Sequence, residues 1–188
     1  LSMSAQCWQK KTNKTDRHKF FLPPFVFYLG VCSLLVFFYT TDILPARANM
    51  ATLSALREFN VRGSTLLFNK ALSIPSPHVD DIRGDIARTV LPRVEHLIRG
   101  GDLRSAKVLV DMLLHEIEKN LILHPKDVRL LIGKFQILQQ SAYVYSDEAY
   151  FVRAIDVLES AIVYSPKRQQ LYFVLAELYL KTGRPDKA

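Results

Sequence analysis

The run Phe20–Tyr39, FFLPPFVFYLGVCSLLVFFY, holds twenty residues without a charge. At about 1.5 Å of helical rise per residue it is roughly 30 Å long, the thickness of a bilayer's hydrocarbon core. Phe, Leu and Val surround every face of it and leave no polar stripe, which argues against a buried core helix. Residues 20–41 are therefore expected to form a transmembrane helix. Pro23 and Pro24 fall in its first turn, where the missing N–H groups have no intrahelical partner to lose. Gly30 and Ser33 make a small-x-x-small pair at mid-span, a candidate packing surface for other transmembrane helices, although both residues are common in such helices anyway. Ala46-Arg47-Ala48 has the spacing of a signal-peptidase site. However, the apolar run exceeds the about 7–15 residues of a signal core, and the site lies past Asp42 and Pro45, so a retained anchor is expected.

Charge sets the expected sidedness. Lys10, Lys11, Lys14, Arg17 and Lys19 precede the run, whereas only Arg47 and Arg57 occur in the twenty residues after it. Flanking Lys and Arg prefer the cytoplasmic side. Residues 1–19 thus read as a basic cytoplasmic segment at an inner or plasma membrane, with everything after Thr41 extracytoplasmic. That segment also carries Asp16 and contributes +4 of the chain's net +7. The basic balance is largely a topology signal and gives little support to nucleic-acid binding. Cys7 lies in the basic arm and Cys32 in the span, so no structural disulfide is expected.

Residues 42–124 read as a membrane-proximal helical region. Pro45 breaks the chain, and Ala46–Phe59 then carries Met50, Leu53, Leu56 and Phe59 at spacings of three. Asn60 and Gly63 punctuate, a short helix covers Ser64–Leu72, and Pro75 and Pro77 end it. Asp80 or Asp81 is placed to cap the next helix, whose buried face is Ile82, Ile86, Val90, Val94 and Leu97. Pro92 is expected to kink or split that helix. After Gly100-Gly101, Asp102 opens a helix to about Ile122, apolar at Val108, Leu109, Met112, Leu113, Ile117 and Leu121. Pro125 stops it. No alternating strand pattern of useful length occurs.

Residues 125–188 carry the clearest regularity. Pro125 and Pro166 each close one helical hairpin and open the next. Ala154, Leu158 and Ala161 precede Pro166, and Tyr172, Leu175, Ala176, Tyr179 and Gly183 follow it. This pattern resembles the tetratricopeptide (TPR) helix–turn–helix repeat, in which small residues let helices approach closely. The expected fold is all-α: one transmembrane helix followed by a TPR-like solenoid, with degenerate hairpins in 42–124. Pro125 to Pro166 spans 41 residues rather than the roughly 34 of the repeat. The excess falls in Ser141–Phe151, as a longer inter-helix turn or an added helical turn. Asn120 stands where the repeat places Ala. The last repeat stops short, which leaves Tyr172, Leu175 and Tyr179 expected to be uncovered, and both ends of the chain read as cut.

The order of a basic loop, an apolar span and repeats reading LLHEIEKNLILHPKDVRLLIGKF and AIDVLESAIVYSPKRQQLYFVLAELYLKTG is similar to the C-terminal end of bacterial O-antigen ligase/polymerase-like membrane proteins with TPR tails. The resemblance covers Phe20 to Ala188 in organisation. It implies a role in cell-envelope polysaccharide assembly beside other spans of one parent protein. The alternative is a single-pass TPR scaffold with no enzyme attached. The catalytic loop of such ligases is absent here, and no catalytic residue carries over.

The chain itself offers no catalytic constellation. His78, His96, His115 and His124 lack the spacing of a metal site, and Asp80-Asp81 and Asp147-Glu148 are neighbours that point to different sides of a helix. No cofactor is expected. The partner expected, besides the lipid bilayer, is a protein or peptide held in the groove lined by first helices. On the TPR resemblance the groove residues are Asp127, Leu130, Lys134 and Ile137 in one hairpin. In the next they are Gln170, Phe173, Glu177 and Lys181.

Overall fold

The structure, a computed structural model, describes residues 23–187. The basic segment 1–19, with Cys7, the first three residues of the apolar run and Ala188 lie outside the described residues. All regular structure among the described residues is helical, and the chain divides between Phe38 and Tyr39 into two compact units.

The first unit contains helix α1 (Pro24–Phe38). Pro24 occupies its first position, and the Val26 N–H donates to the Pro23 carbonyl at 2.9 Å, so the prolines open the helix without breaking it. No residue of α1 is buried by protein. The helical stretch beginning at Pro24 is long and apolar enough to cross a membrane.

The second unit begins with a π-helical turn, Tyr39–Ile43, and continues into α2 (Leu44–Arg62). Pro45 does not break the chain as expected; it sits buried in the first turn of α2, a position that needs no N–H donor. The expected stripe of Met50, Leu53, Leu56 and Phe59 is also corrected. The buried residues are Pro45, Ala48, Thr52, Ala55 and Phe59, while Met50 and Leu53 are 69% and 67% exposed. Each residue turns an α-helix by about 100°, so repeated steps of three drift off a face, and steps of three and four hold it. Asn60 lies inside α2, and Gly63 caps it with φ +70°, its N–H donating to the Phe59 carbonyl at 2.7 Å.

Helix α3 (Leu66–Leu72) buries Phe68 and Ala71, and Phe68 meets Phe59 with ring centroids 5.4 Å apart. Helix α4 (Val79–Arg99) buries Ile82, Ile86, Val90 and Val94, with Leu97 half-buried. Neither Asp80 nor Asp81 caps it. His78 holds that position and both aspartates lie in the first turn, where carboxylates favour the helix dipole. Pro92 does not split α4; it sits on the exposed side, and one apolar stripe holds the helix on both sides of it.

Helix α5 (Leu103–Leu123) starts as expected at Asp102, whose side chain accepts from the Ser105 N–H at 3.1 Å. Val108 is exposed, and Ala106 and Val110 take its place in the buried face. Helix α6 (Val128–Tyr145) absorbs the extra residues of the long hairpin as added helix. The turn to α7 (Ala149–Tyr164) stays at three residues, with Ser146 left-handed at φ 52° and the Asp147 carboxylate accepting from the Ala149 N–H at 2.9 Å. Helix α8 (Gln169–Lys181) completes the series before a short 3₁₀ turn, Pro185–Lys187.

Two turns repeat each other closely. His124-Pro125-Lys126-Asp127 and Ser165-Pro166-Lys167-Arg168 begin with φ, ψ of −129°, 66° and −142°, 67°. Each closes with an N–H to carbonyl bond three residues back, Asp127 to His124 at 3.1 Å and Arg168 to Ser165 at 3.2 Å. From α4 onward each helix packs on the next, and α4 also touches α6. Helix α6 joins two buried clusters, giving Ile137 and Val144 to one and Leu131, Phe135 and Leu138 to the other. The expected uncovered face of α8 is corrected in part. Tyr179 is buried and donates to the Glu159 carboxylate at 2.5 Å, and Leu175 is half-buried, whereas Tyr172 is 46% exposed.

Candidate functional site

The hairpin turns bring α4, α6 and α8 to one side, with two adjoining depressions along it. The larger, about 550 Å³, lies between α4 and α6. Asp80, Asp81, Gly84 and Arg88 come from α4, and Leu130, Gly133, Gln136 and Ile137 from α6. The smaller, about 230 Å³, adds α8 through Val174, Glu177, Leu178 and Lys181. Leu91 and Gln136 line both, so the two adjoin.

Missing side chains shape the larger depression. A Cβ on Gly84 would meet nothing within 4 Å, and one on Gly133 would meet only the Cδ1 of Ile117, at 3.5 Å. Helix backbone is thereby left open at Gly84. Amides furnish its polar chemistry. Gln140 donates weakly to Glu95 at 3.4 Å, while the side chains of Gln136 and Gln139 make no hydrogen bond among the described residues. An unpaired carboxamide offers both a donor and an acceptor, the complement of a peptide unit.

The rim is fixed by an ionic network between α4 and α5. Arg83 donates to Asp80 at 3.1 Å, to Glu116 at 3.0 Å and to the Asn120 carboxamide at 2.8 Å. Asn120, fully buried, donates in turn to the Asp80 main-chain carbonyl at 3.0 Å. Lys119 binds the other oxygen of Glu116 at 2.6 Å, and His124 reaches Asp80 at 2.8 Å. The network consumes the charges of Asp80 and Glu116 within the fold. No group of three His, Cys, Asp or Glu side chains able to hold a metal occurs among the described residues.

The expected groove residues divide three ways. Asp127, Leu130 and Ile137 line the larger depression, with Ile137 otherwise buried in the core. Asp127 also caps α6, and the Arg129 side chain bonded to it holds its carboxyl below the usual range. Glu177 and Lys181 line the smaller depression and pair at 2.7 Å, which lowers the carboxyl and raises the ammonium. Lys134 instead pairs with Glu118 of α5 at 3.3 Å, and Gln170 and Phe173 line neither depression. Gly30 and Ser33 stay in α1, where a Cβ on Gly30 would meet nothing within 4 Å. Sequence reasoning missed α4 as a wall, because its hairpin lacks the repeat signature. The glycines Gly84 and Gly133 were the available signal, since helix-interior glycine costs stability and calls for a reason.

No family model matches the chain, and neither a curated protein nor a solved structure shows detectable similarity to it.

Proposed function

We propose that this chain is a membrane-anchored interaction domain whose TPR-like hairpins hold an extended polypeptide segment along α4, α6 and α8. The observation that carries the reading is the open depression with the free amide of Gln136 on its wall and no side chain at Gly84. Its volume lies within the range of about 300–1,000 Å³ found for ligand sites. The repeated proline turns and the interdigitating hairpins support the TPR-like reading. The positive-inside asymmetry of the sequence supports a location of the hairpins on the extracytoplasmic side. The resemblance in organisation to O-antigen ligase tails makes envelope polysaccharide assembly the setting, with the domain positioning partners and carrying no chemistry of its own.

The test is cysteine accessibility in a Cys7→Ser, Cys32→Ser background. A membrane-impermeant maleimide should label Ser160→Cys readily from outside intact cells. It should label Gly84→Cys slowly in cells and quickly in the purified protein, because the partner covers it only in cells. Labelling of Ser160→Cys only after permeabilisation would refute the sidedness, and equal labelling of Gly84→Cys in both settings would refute an occupied groove.

A further inference from the structure

The charged groups that line the two depressions are held in pairs, except for Asp81 and Glu95. Arg88 is bonded to Asp85, Arg129 to Asp127 at 3.0 Å, and Lys181 to Glu177 at 2.7 Å. Asp80 is held by Arg83 and His124. Asp81 and Glu95 are exposed and make no ion pair with Lys or Arg among the described residues. Asp81 has the His78 ring at 3.9 Å, beyond hydrogen-bond reach. Arg129 feels the Asp81 charge but gives its hydrogen bonds to Asp127. Arg99 donates to the main-chain carbonyl of Glu95, whose carboxylate receives the weak Gln140 bond alone. Every Lys and Arg lining the depressions thus has its own acid. An anionic segment would meet no open cation there, whereas a cationic one would meet Asp81 and Glu95.

We propose that the segment held along α4, α6 and α8 is basic at both ends and apolar between them. One Lys or Arg sits against Asp81, and a second, roughly six residues away, sits against Glu95. The proposal rests on the reading of the depressions as a polypeptide groove and adds what that polypeptide carries. Asp81 lines the larger depression and Glu95 the smaller. They share one side of α4, separated by two seven-residue steps that pass through Arg88. Helical rise sets them about 21 Å apart along the axis. An extended chain covers that distance in roughly six residues. Leu91, Leu130, Ile132 and Val174 give the depressions apolar walls. Arg88, already taken by Asp85, calls for no charge in the middle of the segment.

The test is selection from a display library of random peptides on the full chain in detergent micelles, with the Gly84→Trp protein as counter-target. Peptides that prefer the parent over Gly84→Trp should carry two Lys or Arg residues roughly six apart around an apolar stretch. The same selection on the double variant Asp81→Asn, Glu95→Gln should keep the apolar stretch and lose the basic pair. A synthetic peptide enriched on the parent should bind that double variant roughly fivefold more weakly, as the loss of two exposed ion pairs implies, and added salt should shrink the difference. If no peptide prefers the parent over Gly84→Trp, the groove reading itself falls. Preferring peptides that lack the basic pair, or that keep it on the double variant, overturn the proposal and leave the groove standing.

Discussion

Nη1 of Arg83 donates to Oδ1 of Asn120 at 2.8 Å, joining α4 to α5 across thirty-seven residues of sequence. Asn120 has no exposed surface, and its amide nitrogen satisfies the Asp80 carbonyl as well. Asn120→Ala restores the residue type the repeat pattern expects, yet it takes the side-chain donor from that carbonyl and leaves Arg83 short of a partner. The loss should be about 2–3 kcal/mol. Thermal unfolding of the full chain in detergent micelles checks this, with Ile122→Ala, at an exposed position, expected to change little.

Tyr145 gives the chain a limit at high pH. Burial, and then the Asp111 carboxylate to which its hydroxyl donates, push the phenol well above the ordinary 10.0. The unfolded chain releases that proton near pH 10 and the folded chain does not, so stability falls as pH rises from 10 toward the folded value. Lys107 and Tyr150 lie on the ring, at 4.7 Å and 5.2 Å from its centroid. An ultraviolet titration should show one tyrosine ionising only as the protein unfolds. Tyr145→Phe should diminish that late step.

Asp127 sets the opposite limit. The Arg129 side chain, and to a lesser degree the Arg129 main-chain N–H, hold its carboxyl below 3.8. The stabilisation is therefore present above pH 3.8 and lost as pH falls through the lower folded value. Asp127→Ala should cost about 1 kcal/mol at neutral pH, as the loss of a helix cap does. The difference between variant and parent should vanish in strong acid, as read by denaturant unfolding across pH.

Gly84 should reveal a stability given up for an open wall. A Cβ there meets nothing within 4 Å, so Gly84→Ala should raise stability by about 0.5–1 kcal/mol through helix propensity alone. Urea unfolding checks the sign. Gly84→Trp should fold equally well and fill the depression.

The helices and their turns were readable because capping residues, prolines and steps of three and four act locally. Asp102, Gly63, Pro125 and Pro166 mark element ends whatever packs around them. Faces were harder. Met50 and Leu53 continue an apolar spacing by composition, but the pairing of α2 with α3 and α4 chose the smaller residues Ala48, Thr52 and Ala55 for burial. The Arg83–Glu116–Asn120 network could not be read at all, since its members are polar residues of two helices that become neighbours only when the hairpin closes. Lys134 shows the same limit: its spacing fits the groove, and Glu118 draws it to α5.

Photocross-linking from Gln136 asks whether the depression between α4 and α6 holds a polypeptide. With a benzophenone amino acid at Gln136 in intact cells, irradiation should join the chain to one discrete polypeptide, and Gly84→Trp should abolish the adduct while the protein stays folded. No adduct from Gln136, or an adduct that persists with Gly84→Trp, would contradict the account.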